Sequence, residues 1–376
     1  MQWLLLVVII PYIYYLLKVY VSLSGIKPWI PSSEPNVNVS LIVPCRNNAN
    51  EILHLLAALA EQDYNKDLFE IVVVDDNSTD DIAEVISHFD CFDSLRLIKN
   101  SGQGKKEALL TGVKAVSGDL IITTDADCTP GAGWIRTVAS FYFDNKPDLI
   151  ICPVTLESKP GFFQRFQELE FLSLQGVTAG TAAAGRPVMC NGSNLAFKRS
   201  VFLEHSVNLR YDIPSGDDIF LLQSIIKKAG TKIRWLESDR ALMTTSPCND
   251  LPSFIRQRKR WISKAPSYSE KLPVVMALST LATTLLQVSL LFAAVFIPEV
   301  IPVLLASFIM KSIPDYLILK NTTKRYGSIY LMKWFLPAQI VYPFYVTTVL
   351  ISLAFPLTMS KSANKTHKKR EENRIN

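Results

Sequence analysis

The sequence predicts an α/β fold with a mostly parallel sheet domain and with N-terminal and C-terminal transmembrane helices. Two observations predict it. Hydrophobic residues make up 49% of the 376 residues, and they are concentrated in residues 3–22 and 272–358. Between these segments, short apolar runs rich in β-formers alternate with segments of helical apolar spacing. That alternation is typical of strand–helix–strand units, in which helices cover both faces of a parallel sheet.

The first apolar segment, residues 3–22, is long enough to cross the roughly 30 Å of a bilayer core as a helix. Nothing basic precedes it, whereas a secretory signal has a basic leader and a small-residue cleavage site. We therefore expect residues 1–24 to form an uncleaved membrane anchor. The Pro, Ser and Gly residues of 25–38 predict a linker.

Residues 39–250 are expected to form the α/β domain, which begins with two strands separated by a helix. Residues 40–45 and 69–76 are β-rich runs, and residues 51–62 between them have helical spacing. Acidic residues follow two of the predicted strands at their carboxyl ends, where ligands of such sheets bind. They are Asp75, Asp76, Asp125 and Asp127.

The C-terminal part begins with a basic amphipathic helix over residues 251–271, which we expect at the membrane interface. Residues 272–358 then form a membrane region of two to three spans. Its weakest segment, residues 300–319, is either a third crossing or re-entrant. We favour three crossings because each segment is long enough. The remaining residues, 359–376, form a polar basic tail.

Charge and cysteine usage exclude two other classes of protein. The net charge is +5, and the basic residues cluster at 254–264 and 361–374, beside apolar segments where anionic lipid is the usual partner. No DNA- or RNA-binding motif accompanies them, so we expect no nucleic-acid partner. The six cysteines form no CxxC pair with metal spacing, which excludes a zinc site of that kind and is typical of a reduced, cytosolic compartment.

Four motifs follow one another in a fixed order. They are Asp75-Asp76, Asp125-Ala126-Asp127, Gly216-Asp217-Asp218 and the pentad Gln257-Arg258-Lys259-Arg260-Trp261. Together they resemble the membrane-bound family-2 glycosyltransferases, a group that includes the cellulose, hyaluronan and chitin synthases and the ceramide glucosyltransferases. The resemblance runs from about Val39 to Trp261. It implies a GT-A-like fold, a nucleotide sugar donor and a Mg²⁺ or Mn²⁺ cofactor.

The second motif has the chemistry of a metal site. Two carboxylates one residue apart can share a divalent cation, which prefers carboxylate and phosphate oxygens. The resemblance assigns metal binding to Asp127, binding of both metal and nucleotide to Asp125, and contacts with the uracil or ribose to Asp75 and Asp76. The alternative is a solvated turn.

Two glycine-containing loops resemble further parts of the family's site. Residues 102–106 open a helix, whose N-terminus attracts phosphate, and Lys105 adds positive charge near the donor. Residues 190–194 resemble the turn near the acceptor, where Gly192 allows close backbone approach and Asn194 contacts a sugar hydroxyl. The alternative for both loops is an ordinary exposed turn.

The third motif stands where the family has Glu-Asp, with Asp217 in place of the usual Glu. The resemblance assigns the general base to Asp218, and we place both carboxylates in the catalytic group. The alternative is capping of the helix that follows, for which Asp217 is well suited.

The pentad matches the family's Gln-x-x-Arg-Trp pattern. Arg260 can bind a diphosphate through its planar guanidinium, Gln257 can hydrogen-bond the donor, and Trp261 offers a flat face to an acceptor sugar. The alternative is a basic helix at the membrane surface with an interfacial tryptophan. The other basic residues of the segment are assigned to that surface. They are Arg256, Arg258, Lys259 and Lys264.

These features predict an inverting, metal-dependent glycosyltransferase. We expect it to move a sugar from a nucleotide sugar, UDP-linked, to a saccharide or lipid acceptor associated with the lipid bilayer. We expect an integral protein of the cell (inner) membrane with a cytosolic catalytic domain. Single addition is favoured over a processive polysaccharide synthase because the tail is small for a polymer channel. A non-catalytic nucleotide-binding membrane scaffold is the remote alternative, because all the acidic motifs are intact.

Overall fold

The computed structural model describes residues 2–31 and 34–354, and ten strands form two sheets within them. The strands are β1 (Val39–Cys45), β2 (Phe69–Asp75), β3 (Leu95–Lys99), β4 (Leu120–Thr123), β5 (Cys128–Pro130), β6 (Leu149–Ile151), β7 (Val154–Leu156), β8 (Leu195–Lys198), β9 (Ile233–Trp235) and β10 (Met243–Thr245). The main sheet has seven strands in the order β3-β2-β1-β4-β8-β6-β9. Strands β5, β10 and β7 form a second, three-stranded sheet.

Twelve α-helices accompany the sheets in the part of the chain that is described. They are α1 (Ile10–Ser24), α2 (Ala49–Ala60), α3 (Ile82–Ser87), α4 (Lys105–Ala115), α5 (Trp134–Asn145), α6 (Phe162–Ala183), α7 (Arg199–His205), α8 (Asp217–Ile226), α9 (Leu251–Ile262), α10 (Lys271–Phe296), α11 (Ile301–Arg325) and α12 (Phe335–Leu353).

The main sheet is mixed but mostly parallel. Strand β1 pairs in parallel with β2 and β4, and β2 pairs in parallel with β3. Strand β8 runs antiparallel to both of its neighbours, β4 and β6. The carboxyl ends of β1, β2 and β4 therefore lie at one edge, and the predicted α/β fold is confirmed.

Burial on both faces explains why the strands are apolar runs without alternation. Successive side chains of β1 point to opposite faces: Leu41 and Val43 pack in one apolar cluster, and Ile42 packs in the other. Trp134, which is fully buried, lies in the first cluster. Helices on both faces hold the sheet rigidly and thereby fix the strand ends relative to one another.

Four helical segments of the described residues are long and apolar enough to cross a membrane. They are Gln2–Ser24, Lys271–Phe296, Pro298–Arg325 and Ile329–Leu353. The third is the segment that the sequence left open between a crossing and a re-entrant loop, and its helix α11 continues through Pro314. Its length supports three C-terminal crossings, which stay a prediction. The tail predicted over residues 359–376 lies outside the described residues.

Lys311 and Asp315, which interrupt the apolar sequence of α11, are turned inward. The Lys311 side chain is 1% exposed, and its Nζ lies 2.6 Å from Asp315 Oδ2 and 3.0 Å from Gln339 Oε1 in α12. Tyr12 of α1 also bonds Asp315. Since ionisable groups in a membrane segment face the protein interior and pair with one another, this cluster is compatible with a crossing.

Helix α6 joins the sheet domain to these apolar helices. A Cβ atom at Gly176 would lie 2.5 Å from Ile318 Cγ2 of α11, and one at Gly180 would lie 2.6 Å from the Val19 carbonyl oxygen of α1. The two glycines therefore allow α6 to approach both helices closely. Helix α6 also contacts β7 and β9, so it is shared between the sheet domain and the apolar helices.

Candidate active site

A cavity of about 470 Å³ opens at the carboxyl edge of the main sheet. This is where ligands of doubly wound sheets bind, and the volume lies within the range of small-molecule sites. Residues from all four sequence motifs and from both predicted loops line it. Those among the predicted site residues are Asp76, Lys105, Asp125, Asp127, Gly192, Asp217, Asp218, Gln257, Arg260 and Trp261.

The Asp-Ala-Asp motif lies in the turn directly after β4. The Asp125 Oδ1 atom accepts a hydrogen bond of 2.5 Å from Lys105 Nζ, and that ammonium also lies 3.6 Å from Asp217 Oδ2. Burial alone would lower the pKa of Lys105, but Asp125 and Asp217 together hold it above its ordinary value. Lys105 therefore links the acidic turn after β4 to the acidic pair at the start of α8.

The negative charge of Asp127 is less neutralised by a neighbouring cation than that of Asp125, whose partner is Lys105. Burial raises the pKa of its carboxyl, and the neighbouring charge of Asp125 raises it further. The described residues contain no group of three or more His, Cys, Asp or Glu side chains placed to hold a metal. Two carboxylates that leave the other positions to phosphate and water fit Mg²⁺ or Mn²⁺, and a divalent cation would relieve the excess negative charge.

Of the first acidic pair, Asp76 lines the cavity and Asp75 does not. The Asp76 Oδ1 atom accepts hydrogen bonds from the Gly104 amide at 2.8 Å and from Asn100 Nδ2 at 2.7 Å. Asp75 instead accepts the Ser78 amide at 2.8 Å. Asp76 therefore holds the loop before α4, whose Gly104 has a φ of +90°. The donor contact predicted for Asp75 has no support in this geometry.

The loop Gly102–Lys106 directs its two lysines to different places. Lys105 faces the cavity, whereas Lys106 is buried and donates to the Arg210 and Ile213 carbonyl oxygens at 2.7 and 2.8 Å. Its ammonium also lies 4.6 Å from the centre of the Phe220 ring. Sequence analysis gave no role to Lys106. The structure shows that it anchors the loop that leads into Asp217 and Asp218.

The third motif begins α8 after Gly216, whose φ is +91°. Asp218 Oδ1 accepts the Ile219 amide at 2.7 Å, and its Oδ2 accepts the Gly192 amide at 3.2 Å. Burial and the charge of Asp217 raise the pKa of Asp218. The N-capping alternative for Asp217 is not observed, because Gly216 occupies the N-cap position.

The acceptor contact predicted for Asn194 is wrong. Asn194 is fully buried, and its Oδ1 accepts a hydrogen bond from Trp134 Nε1 at 2.9 Å. Its Nδ2 donates to the Pro153 and Ala241 carbonyl oxygens at 2.7 and 2.9 Å. Asn194 therefore ties β8 to its surroundings and has no polar atom left for a sugar. Of the two residues predicted in this turn, Gly192 reaches the cavity.

The pentad lies on α9, which begins at an Asp250 cap that accepts the Ser253 amide at 2.7 Å. Gln257, Arg260 and Trp261 occupy positions i, i+3 and i+4, so they share the face of the helix that lines the cavity.

The prediction that the other basic residues face a membrane surface is wrong for three of them. Arg258, Lys259 and Lys264 are 3%, 7% and 8% exposed. Lys264 lines the cavity beside Gly216 and is a site residue that the sequence analysis missed. Its signal was a cationic residue within one helical turn of the pentad. Arg256 is exposed, and its assignment to a membrane surface stays a prediction.

The sheet, the acidic turn after β4 and the cavity above it define a GT-A-like glycosyltransferase domain. Comparison with known proteins identifies the family: residues 40–205 match the model of Glycosyl transferase family 2. Residues 40–205 are therefore a family-2 glycosyltransferase domain, as the motifs of the sequence predicted.

Curated relatives share part of the chain. The chain is 27% identical over 190 residues to the probable glycosyltransferase YdaM of Bacillus subtilis (47% of this chain, 44% of YdaM). It is 34% identical over 114 residues to the glycosyltransferase AglE of Haloferax volcanii (30% and 38%). It is 27% identical over 236 residues to an N-acetylglucosaminyltransferase of Sinorhizobium fredii (60% and 56%). The chain thus spans about half the length or less of these relatives.

One solved structure is similar over nearly the whole chain. The mannosyltransferase PcManGT of Pyrobaculum calidifontis, in complex with GDP-Man and Mn²⁺, aligns with a TM-score of 0.55. The alignment covers 94% of this chain and 99% of PcManGT at 19% sequence identity. At that identity the similarity shows the fold.

Proposed function

We propose that this protein is an inverting, metal-dependent glycosyltransferase that moves a sugar from a nucleotide sugar, UDP-linked, to a membrane-associated saccharide or lipid. One observation carries the proposal. A single cavity brings together the acidic turn at Asp125 and Asp127, the buried carboxylate of Asp218 and the guanidinium of Arg260. These are the groups that glycosyl transfer requires: stabilisation of a leaving diphosphate, a base for the acceptor hydroxyl and a scaffold that aligns them.

The relatives support the donor class. Several of them are named N-acetylglucosaminyltransferases, among them those of Sinorhizobium fredii and Mesorhizobium japonicum. PcManGT, whose fold resembles that of this chain, holds GDP-Man and Mn²⁺. A nucleotide sugar and a divalent cation are therefore the ligand classes that this fold accommodates elsewhere.

Asp125 and Asp127 are the residues that would hold Mg²⁺ or Mn²⁺, which supplies electrostatic stabilisation to a diphosphate leaving group. The chain's own cations face the same space. Lys105 is the first residue of α4, where the helix N-terminus also favours phosphate. Arg260 and Lys264 line the cavity from the side of α9. We assign the donor diphosphate to the region between these cations.

Asp218 is the general base in this proposal. Its carboxylate removes the proton of the acceptor hydroxyl while that oxygen forms a bond to the anomeric carbon and the bond to the diphosphate breaks. This single displacement inverts the anomeric configuration. The Gly192 amide holds Oδ2 at 3.2 Å and orients the carboxylate. The raised pKa of Asp218 strengthens the carboxylate as a base once it is ionised.

The surroundings of α9 support a membrane-associated acceptor. Helix α9 packs against α12, which belongs to one of the four segments long enough to cross a membrane. We therefore place the protein in the cell (inner) membrane with the cavity on the cytosolic side. We favour single addition over processive synthesis, because the C-terminal apolar region is small for a polymer channel.

A donor screen tests the proposal. Detergent-solubilised protein is incubated with UDP- and GDP-linked sugars, Mg²⁺ or Mn²⁺ and a lipid extract, and release of nucleoside diphosphate is measured. We expect metal-dependent release with at least one donor, and release lower by a factor of about 10²–10⁴ in the Asp218→Asn variant. Gel analysis of the product separates single addition from polymer synthesis. Absence of both turnover and calorimetric binding for every donor overturns the proposal.

A further inference from the structure

A buried ion pair joins Arg258 of the pentad, which also lines the cavity, to helix α6. Arg258 of α9 and Glu170 of α6 have side chains that are 3% and 6% exposed. The Arg258 Nε atom donates to Glu170 Oε1 at 2.9 Å, and Nη2 donates to Oε2. This is a two-point contact, which fixes the plane of the guanidinium as well as its position.

A third helix joins the pair. The Tyr345 hydroxyl of α12 donates to the same Glu170 Oε1 atom at 3.0 Å. Glu170 therefore connects α6, the pentad helix α9 and an apolar helix of membrane-crossing length. Burial of these charges is expensive, and an apolar pair of similar volume often stabilises a fold as well or better. Stability alone therefore does not account for charged groups here.

Arg258 in turn contacts two side chains of the predicted site. Its Nη1 atom donates to Gln257 Oε1, and its guanidinium lies 4.2 Å from the centre of the Trp261 ring. The Phe254 ring centre also lies near the guanidinium, at 4.3 Å. The guanidinium thus contacts two aromatic rings while it donates to the side-chain amide of Gln257, which lines the cavity.

We propose that Glu170 is a positioning residue for the sugar-transfer site, which acts through Arg258 to set the orientation of Gln257 and Trp261. Tyr345 completes the unit and ties it to α12. The inference rests on the proposed function for its activity readout only. Glu170 itself does not line the cavity, so its effect on ligands is indirect.

Three variants separate positioning from stability. Glu170→Gln keeps the shape and removes the charge. Tyr345→Phe keeps the ion pair and removes one hydrogen bond. The double variant Glu170→Leu/Arg258→Met replaces the pair by apolar groups. Since displacement of about 1 Å at a site can lower a rate by ~10²-fold, we expect Glu170→Gln to lose about 10- to 100-fold in transfer, and Tyr345→Phe less. We expect the double variant to regain the wild-type melting temperature but not the activity.

A matched control is available on the same helix. Glu168 of α6 is also buried and pairs with Arg165 at 2.8 Å, but neither residue contacts the pentad in the contacts described. Glu168→Gln therefore removes a partly buried ion pair without touching Gln257 or Trp261. We expect its transfer rate, corrected for the fraction of folded protein, to equal that of the wild type.

A spectroscopic readout is independent of turnover. Protein is labelled with 5-fluorotryptophan, and the fluorine resonance of Trp261 is assigned by its loss in Trp261→Phe. We expect that resonance to shift in Glu170→Gln and in the apolar double variant, and not in Glu168→Gln. An unshifted Trp261 resonance in Glu170→Gln, or full activity of the double variant, overturns the inference. A wild type without turnover overturns the proposed function, whereas the resonance still decides the positioning role.

Discussion

The two walls of the cavity are positioned in different ways. On the sheet side, Asp76 and Asp125 lie within two residues of the ends of β2 and β4, and the parallel strand ends bring them together. On the α9 side, Gln257 and Trp261 are placed by Arg258, whose partner Glu170 is 88 residues away in the chain. The first wall is built by backbone topology and the second by a long-range ion pair. The effects of substitutions on the two walls should therefore have different physical causes.

The largest effect is expected for the base, which stands between the walls. Asp218→Asn removes the proton acceptor, so transfer should fall by a factor of about 10²–10⁴, the range of general base catalysis. Binding of the nucleoside diphosphate should stay within a few-fold of wild type, because the donor contacts are elsewhere. Turnover assays and calorimetry measure the two quantities. Wild-type turnover in this variant would contradict the assignment of Asp218.

On the sheet side, Asp127→Asn should weaken metal-dependent nucleotide binding and reduce transfer by about 10²-fold, the scale of electrostatic assistance by a bound cation. Calorimetric titration with donor in the presence of Mn²⁺, repeated with a chelator, measures the change. A donor affinity that responds to neither the substitution nor the chelator excludes the metal role.

On the α9 side, Arg260→Lys keeps the charge and loses the planar, bidentate donor. Loss of one charge-assisted hydrogen bond should reduce transfer by about 10- to 100-fold. Membrane fractionation first establishes that the variant is inserted like the wild type. An unchanged rate would assign Arg260 to a lipid contact rather than to the diphosphate.

A smaller effect is expected for the aromatic face. If Trp261 stacks on an acceptor sugar, Trp261→Leu should lower the transfer rate by about 2- to 10-fold, and Trp261→Phe should retain part of it. The comparison of Phe with Leu is its own control, because both side chains suit a membrane interface. Equal activity of the two variants would leave Trp261 with a packing role.

The smallest effect concerns pH. Burial lowers the pKa of Lys106 from 10.5 to about 8, with Asp217, Asp212 and Asp218 opposing the shift and Lys264 adding to it. With a pKa of about 8, the Lys106 ammonium is mostly charged at pH 7 and mostly neutral at pH 9, so transfer should fall by a few-fold over that range. The effect of Lys106 on the stability of the fold changes with pH in the opposite direction to its effect on transfer. Between about pH 8 and 10.5 the unfolded chain binds more protons at this group, so its contribution to stability rises with pH.

Lys106→Met removes the titrating group and provides the control for that profile. Its transfer rate should be lower than that of the wild type at pH 7 and should change less between pH 7 and 9. If Lys106→Met shows the same decline with pH as the wild type, the decline belongs to another group.

Much of the sheet side follows from local sequence patterns. The apolar run of β2 predicts a buried strand, and its end predicts where Asp76 lies. The sequence did not show which role each residue of an acidic pair has. Asp75 and Asp76 are adjacent and identical in type, but only hydrogen bonds to Ser78 and Gly104 distinguish them. Asn194 shows the same limit, since its burial depends on Trp134, which is 60 residues away.

The sequence by itself determined the alternation of strands and helices, the apolar segments and the carboxylates at strand ends, because each depends on neighbours within a few residues. Tertiary structure alone decided which of two adjacent lysines, Lys105 or Lys106, faces the cavity, and that Arg258 faces inward. The side chains of adjacent helical residues point about 100° apart, so the sequence shows that two such side chains face different directions. What each meets depends on partners such as Glu170 and Tyr345, which only the folded chain brings near.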